Sequence, residues 1–241
     1  MMKLINKIGY GVVDALFYTT LKLEELIRST RLSLSLFSDK RLDRMYNIET
    51  QMIPNSTYIP ISTKVFKQIV KKTKLPEQIH FFDYGSGKGK ALILALQNGF
   101  EHVSGIELSS ELVEISQRNL QNYLANVKKQ VQVNVICEDA TKYDELDEYN
   151  IFFFNNSFGG NPSEERMVAR IFKKIETSLK NKPRQANLIY VHPGISLQML
   201  FDSYSWLKDR KVIQNSTRPK YDKTVIYIFT IHPDMFVGGQ I

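Results

Sequence analysis

The chain has 241 residues, 43% of them hydrophobic and 24% charged, a balance that suits one folded α/β domain with an appendage and argues against disorder or a polytopic membrane protein. Its single cysteine, Cys137, excludes an internal disulfide and a multi-cysteine zinc site and fits a reducing, cytoplasmic setting, while four scattered histidines without ligand spacing predict no metal. The net charge of +7 comes from Lys and Arg spread along the chain, which reads as solvated faces and loops and gives no strong nucleic-acid signal.

Residues 1–50 read as a helical N-terminal extension. Leu4, Ile8, Val12, Ala15, Leu16, Leu23, Leu26 and Ile27 recur at helical spacing, but Asp14 and Glu24-Glu25 interrupt the apolar run and argue against a signal peptide or a spanning helix. The extension is expected to pack over the carboxyl edge of the sheet that follows, with Tyr46 and Tyr58 bringing aromatic surface to a lid. Peripheral membrane contact through residues 1–30, driven by Lys3, Lys7, Lys22 and Arg28, is the competing reading.

Residues 51–241 carry the main domain. Ile79–Tyr84 reads as a buried strand and Ala91–Leu96 as a helix stopped by Gly99. His102–Glu107 is a second strand, Ser110–Val127 a helix, Gln130–Cys137 a valine-rich strand and Asn150–Phe154 a fourth. A helix over Glu164–Leu179, a strand over Asn187–Val191 and a helix over Ser196–Tyr204 follow. Trp206–Gln214 and Thr224–Ile231 are strand-like runs joined directly by a polar loop containing Pro219. These alternating units predict an α/β fold with a doubly wound, Rossmann-like seven-stranded sheet whose last strand is antiparallel.

Between the first strand and its helix lies Gly85-Ser86-Gly87-Lys88-Gly89. A plain turn needs one glycine, whereas three open the main chain to a ligand beside the free N–H groups of a helix start. Lys90 stands where a dinucleotide fingerprint places its third glycine, which disfavours a nicotinamide-dependent oxidoreductase, and Ala91 stands where a phosphate loop requires Ser or Thr. Lys88 and Lys90 read as solvent-exposed residues at a helix start. What remains, Asp83-x-Gly85-x-Gly87-x-Gly89 after a strand, resembles motif I of the class I S-adenosylmethionine-dependent methyltransferases.

That resemblance implies S-adenosyl-L-methionine as cofactor and assigns residues at successive strand ends. Glu107, 20 residues after Gly87, would accept the two ribose hydroxyls. Asp139, with Ala140 beside it, would accept from the adenine amino group while Leu108 offers the ring an apolar surface. Asp83, Gly85, Ser86, Gly87 and Gly89 would meet the amino-acid end, and Asn155 would complete the cofactor contacts at the fourth strand.

A narrower likeness spans residues 43–195. "DRMYNIET" (43–50), "YIPIS" (58–62), "CEDATKY" (137–143) and "NNSF" (155–158) are similar to segments of a group of bacterial methyltransferase-domain proteins. Asn47 stands at the glycine of their first segment, Ile61-Ser62 at a Thr-Pro, and Ser157 at the proline of their Asn-Pro-Phe-Gly. The Asn-Asn pair also resembles that of the non-SET histone lysine methyltransferases, whose motif I is likewise D-x-G-S-G-x-G. The expected activity is therefore methyl transfer, with Asn156 orienting the nucleophile, His192 of "YVHPG" as a base, and Tyr46, Tyr58 and Phe158 lining the acceptor pocket. The acceptor and the oligomeric state stay open: a small molecule or saccharide is slightly favoured, with protein lysine or a non-catalytic cofactor-binding domain as alternatives.

Overall fold

The computed structural model describes residues 39–52, 58–127, 130–158, 161–215 and 224–237. Along them run α1 (residues 39–46), α2 (Thr63–Lys72), β1 (His80–Tyr84), α3 (Lys90–Gln97), β2 (His102–Glu107), α4 (Ser110–Ala125) and β3 (Gln132–Cys137). Then come β4 (Ile151–Asn155), α5 (Pro162–Asn181), β5 (Ala186–Val191), α6 (Ile195–Asp202), β6 (Arg210–Asn215), β7 (Thr224–Ile231) and α7 (Asp234–Val237). The apolar repeat of the extension and the membrane reading fall on residues 1–38, outside the described residues, as does the loop with Pro219. No helix among the described residues is long and apolar enough to cross a membrane.

The strands form one sheet in the order β3-β2-β1-β4-β5-β7-β6. β1 to β5 pair in parallel, and β7 inserts antiparallel between β5 and β6, so the sheet is the expected doubly wound one with an antiparallel last strand. The order reverses between β1 and β4, which opens a crevice at their carboxyl ends.

Each central strand is apolar on both faces, as a sheet covered by helices on both sides requires. Phe81, Phe153 and Ile189 pack in one layer with Phe66 and Leu92; Phe82, Phe154, Leu188 and Tyr190 pack in the other with Phe172. In that second layer Tyr84, Phe154 and Tyr190 stand in register across β1, β4 and β5. Their rings are nearly parallel, with centroids 4.5 and 4.9 Å apart, and each lies within two residues of the crevice.

Two elements differ from expectation. Helix α2 was not drawn from the sequence, although Ser62 caps it by accepting from the Val65 N–H and Val65, Phe66 and Ile69 form its buried stripe. Trp206 and Leu207, expected to start a strand, lie in a 3₁₀ turn over Ser205–Leu207, and β6 begins only at Arg210. Both side chains enter the same core layer, which the alternation of a strand forbids, and the indole packs edge-on to Phe172 and Tyr204. Leu42 and Ile48, within the stretch read as an extension, are buried in the same core as β1.

Phe154 is the middle ring of the stack beneath the crevice. Phe154→Ala is expected to cost about 3–5 kcal/mol of stability, read from the midpoint of urea unfolding. An unchanged midpoint would show that the stack does not hold β4 in place.

Candidate functional site

The crevice is a cavity of about 650 Å³ walled by segment 58–61, the start of the glycine turn and the carboxyl ends of β2, β3, β4 and β5. The turn takes its shape from three left-handed residues, Gly85, Gly87 and Gly89, with φ of 72°, 53° and 77°. The Gly85 and Ser86 N–H groups both donate to the Ile106 carbonyl, at 2.9 and 3.0 Å. Gly85 and Ser86 line the cavity, whereas Gly87 does not: a Cβ there would lie 2.6 Å from Cδ2 of the Tyr58 ring that covers it. Gly89 faces Ser116 of α4 instead. Sequence reasoning missed Gly105 in β2, where a Cβ would come within 2.6 Å of the Ser86 Cβ, so its bareness lets the turn settle on the strand.

Glu107 ends β2 with both carboxylate oxygens engaged. Oε2 accepts from the Gly87 N–H at 2.9 Å and Oε1 from the Ser109 N–H at 3.0 Å. Each oxygen keeps a lone pair for a further donor from the cavity. Beside it Leu108 is 69% exposed, an apolar face at the lip. Asp139 Oδ1 accepts from the Thr141 N–H and hydroxyl, and those bonds hold its carboxyl below the usual carboxylate range. Ala140 lines the wall next to it. Cys137, at the end of β3, is exposed.

Asp83 is 2% exposed and its Oδ1 has no partner, although it lines the cavity. Burial, and secondly the Glu107 charge, push its carboxyl well above the ordinary value. A buried acceptor left unpaired beside a cavity is satisfied by a cationic donor entering that cavity.

At the ends of β4 and β5 three residues other than glycine take left-handed backbone: Asn156 (φ 52°), Phe158 (φ 58°) and His192 (φ 62°). For Phe and His this conformation costs on the order of 1 kcal/mol or more, so surrounding bonds must hold it. The Asn156 N–H donates to Val191 O at 2.9 Å, the Ser157 hydroxyl to Tyr84 O at 2.6 Å, and the His192 N–H to Val225 O at 2.8 Å. The Tyr190 hydroxyl donates to Phe158 O at 2.9 Å and also meets Ser157 O. The Asn155 amide donates to Ile59 O at 2.8 Å, joining the β4 turn to the segment opposite. Asn155, Asn156, Phe158 and His192 all line the cavity, with Tyr58 across from them.

Two expectations are corrected by placement. Tyr46 is not on the cavity wall; its ring meets Tyr123 of α4 edge-on at 4.8 Å, because α1 lies against the core and not over the opening. Lys88 and Lys90 are not solvated: they are 2% and 3% exposed, and their ammonium groups pair with Glu49 and Asp39. His80 and His102 lie, as expected, at the opposite edge of the sheet, with rings stacked 4.3 Å apart. Among the described residues no group of three or more His, Cys, Asp and Glu is placed to hold a metal ion.

A doubly wound sheet with an antiparallel seventh strand, a glycine turn without a phosphate counter-charge, and an acidic residue at each of the first three strand ends define a class I S-adenosylmethionine-dependent methyltransferase. Residues 44–180, more than half of the chain, match the family model described as histone methylation protein DOT1, and the chain belongs to that family. The cofactor is S-adenosylmethionine, and the unpaired Asp83 oxygen, the apolar face of Leu108 and the free lone pairs of Glu107 fit its ammonium, adenine and ribose.

Solved structures share the fold. The human methyltransferase 10 domain containing protein is 13% identical over 83% of this chain and 97% of its own, with a TM-score of 0.55. The magnesium protoporphyrin IX methyltransferase from Synechocystis PCC 6803, solved with bound S-adenosylmethionine, is 14% identical over 86% of this chain and 96% of its own, with a TM-score of 0.51. No curated protein matches the sequence.

Two measurements test the wall. Glu107→Ala is expected to weaken S-adenosylhomocysteine binding by about 1.5–3 kcal/mol in calorimetry, the worth of a charge-assisted bond; unchanged affinity would remove Glu107 from the ribose site. Asp83 should report through pH. A carboxyl raised in the folded state adds stability that is present below its ordinary pKa and lost as pH rises through the raised one. Asp83→Asn is therefore expected to make the cofactor-free protein more stable than the parent at neutral pH, with the gap closing toward the ordinary carboxylate range, while binding S-adenosylhomocysteine more weakly.

Proposed function

We propose that this methyltransferase acts on an amine nitrogen, presented by a lysine side chain of a protein. The observation that carries the reading is the charge of the cavity. Asp83, Glu107, Glu138, Asp139 and Glu164 line it against only Lys90, which Asp39 neutralises, and His192, in a protein of net charge +7. Such a wall attracts a cationic cofactor and a cationic acceptor and repels phosphate or carboxylate acceptors. Membership of the DOT1 family supports the same choice. The lone cysteine supports a reducing, cytoplasmic setting.

S-adenosylmethionine supplies a methyl group already activated on a sulfonium. The chain must align the acceptor, exclude water and take up a proton where the acceptor carries one. In this reading Glu107 accepts from the ribose, Asp139 with Ala140 and Leu108 holds the adenine, and Asp83 with Gly85 and Ser86 receives the amino-acid end. Asn155 and Asn156 offer neutral amide oxygens that orient an amine without acting as bases. Tyr58 and Phe158 close the aromatic sides of the path, and His192 is the proton acceptor at its end. Glu164, on the α5 side of the acceptor end, gives the incoming ammonium a carboxylate to approach.

Incubation of the protein with host extract and methyl-labelled cofactor tests the acceptor. Label in the protein fraction, recovered as methyl-lysine after hydrolysis, is the expected result; label confined to a small-molecule filtrate would overturn the lysine reading and favour a small-molecule or saccharide acceptor. His192→Gln is expected to lower turnover while leaving S-adenosylhomocysteine affinity unchanged. Normal turnover at every pH would make His192 structural.

A further inference from the structure

The segment "DRMYNIET" has no part in the chemistry above, yet it is tied to the cofactor turn at several points. It folds on itself first. Asp43 accepts from the Thr50 N–H at 3.2 Å, the Thr50 hydroxyl at 2.6 Å and the Gln51 amide at 2.6 Å, and Asn47 takes the left-handed backbone (φ 50°) that closes the loop. Asparagine tolerates that conformation, which is why it can stand at a position where relatives carry glycine.

The closed loop then reaches the glycine turn. Glu49 Oε1 lies 2.5 Å from the Lys88 ammonium, which also sits 5.8 Å from the centre of the Tyr58 ring. Asp39, four residues upstream at the start of α1, lies 3.1 Å from the Lys90 ammonium and accepts from the Thr63 N–H and hydroxyl. Asn119 of α4 bonds both parties: its Oδ1 accepts from the Glu49 N–H at 2.8 Å, and its Nδ2 donates to Glu49 O and Lys88 O at 3.0 Å each. A turn with three left-handed glycines gains little order from its own residues. Lys88 and Lys90 are the two long side chains at the turn, and both are committed to this segment instead of the cofactor. A buried ammonium persists only where an anion answers it, so the turn and the segment hold or fail together.

We propose that residues 39–50 form a clamp that keeps the glycine turn in its cofactor-binding shape, with Glu49 and Asp39 as positioning residues acting through Lys88 and Lys90. The inference rests on the cofactor and is independent of the acceptor.

Binding of S-adenosylhomocysteine, which needs no acceptor, provides the test. Glu49→Gln and Lys88→Gln are each expected to weaken binding about tenfold in calorimetry, and the double variant no more than the weaker single, as coupled sites behave. Folded variants with parental affinity, or losses that multiply in the double variant, would overturn the clamp even if their melting temperatures fall. Linkage gives a second measurement on the unaltered protein, which covers the case of variants that do not fold: the cofactor must steady whatever steadies its site. Saturating S-adenosylhomocysteine is expected to slow amide hydrogen exchange at Ile48 and Glu49, which do not line the cavity, by more than it slows the amides of residues 171–180 in helix α5, which do not line it either. Equal slowing at both would overturn the proposal.

Discussion

The Ile106 carbonyl receives two adjacent N–H groups, those of Gly85 and Ser86, and this shared acceptor fixes the path of the chain as it leaves β1. Everything at the site is built outward from that point. Because the turn is pinned to the last residues of β2, Glu107 comes within reach of the Gly87 N–H, and the Ser86 side chain can sit on bare Gly105. The same pinning leaves Asp83 buried at the end of β1 with an oxygen unpaired beside the cavity. Among the described residues the one lysine on the wall, Lys90, is already paired with Asp39.

The side of the cavity at the ends of β4 and β5 is organised on a different principle. Its shape depends on backbone conformations that phenylalanine and histidine adopt reluctantly, so it must be held by the layer beneath. The stacked rings of Tyr84, Phe154 and Tyr190 supply that layer, and the Tyr190 hydroxyl extends it to the Phe158 carbonyl. Ser157 secures the turn through its hydroxyl to Tyr84 O, a bond that the proline of related sequences could not make. The two sides of the cavity are thus held differently: one by main-chain bonds within a parallel sheet, the other by side chains that support left-handed residues.

The sheet was legible in the sequence because its strands are apolar on both faces and its turn is written in glycine, and both signals are local. Strand ends were legible too, since carboxylates there stand out against hydrophobic runs. What could not be read were relations between distant residues. Lys88 and Glu49 are 39 positions apart, and nothing near either one marks an ion pair that takes a lysine out of solvent. Tyr46 carries the same ambiguity, as an aromatic residue may serve a lid or a core equally well, and only the course of α1 decides it. Helix α2 is a different case: Ser62 and the Val65-Phe66-Ile69 stripe were in plain view, but ten residues between irregular segments gave a short pattern that was easily passed over. Trp206 misled because a run of large apolar residues looks like a strand unless two neighbours must face the same way.

Cys137 has a practical consequence. It is the sole thiol in the chain, exposed at the tip of β3, and two residues from Asp139. A fluorophore attached there would sit at the rim where the nucleoside is expected to arrive, with no other cysteine to remove beforehand. The native sequence therefore already contains an addressable optical reporter for following ligand entry in real time.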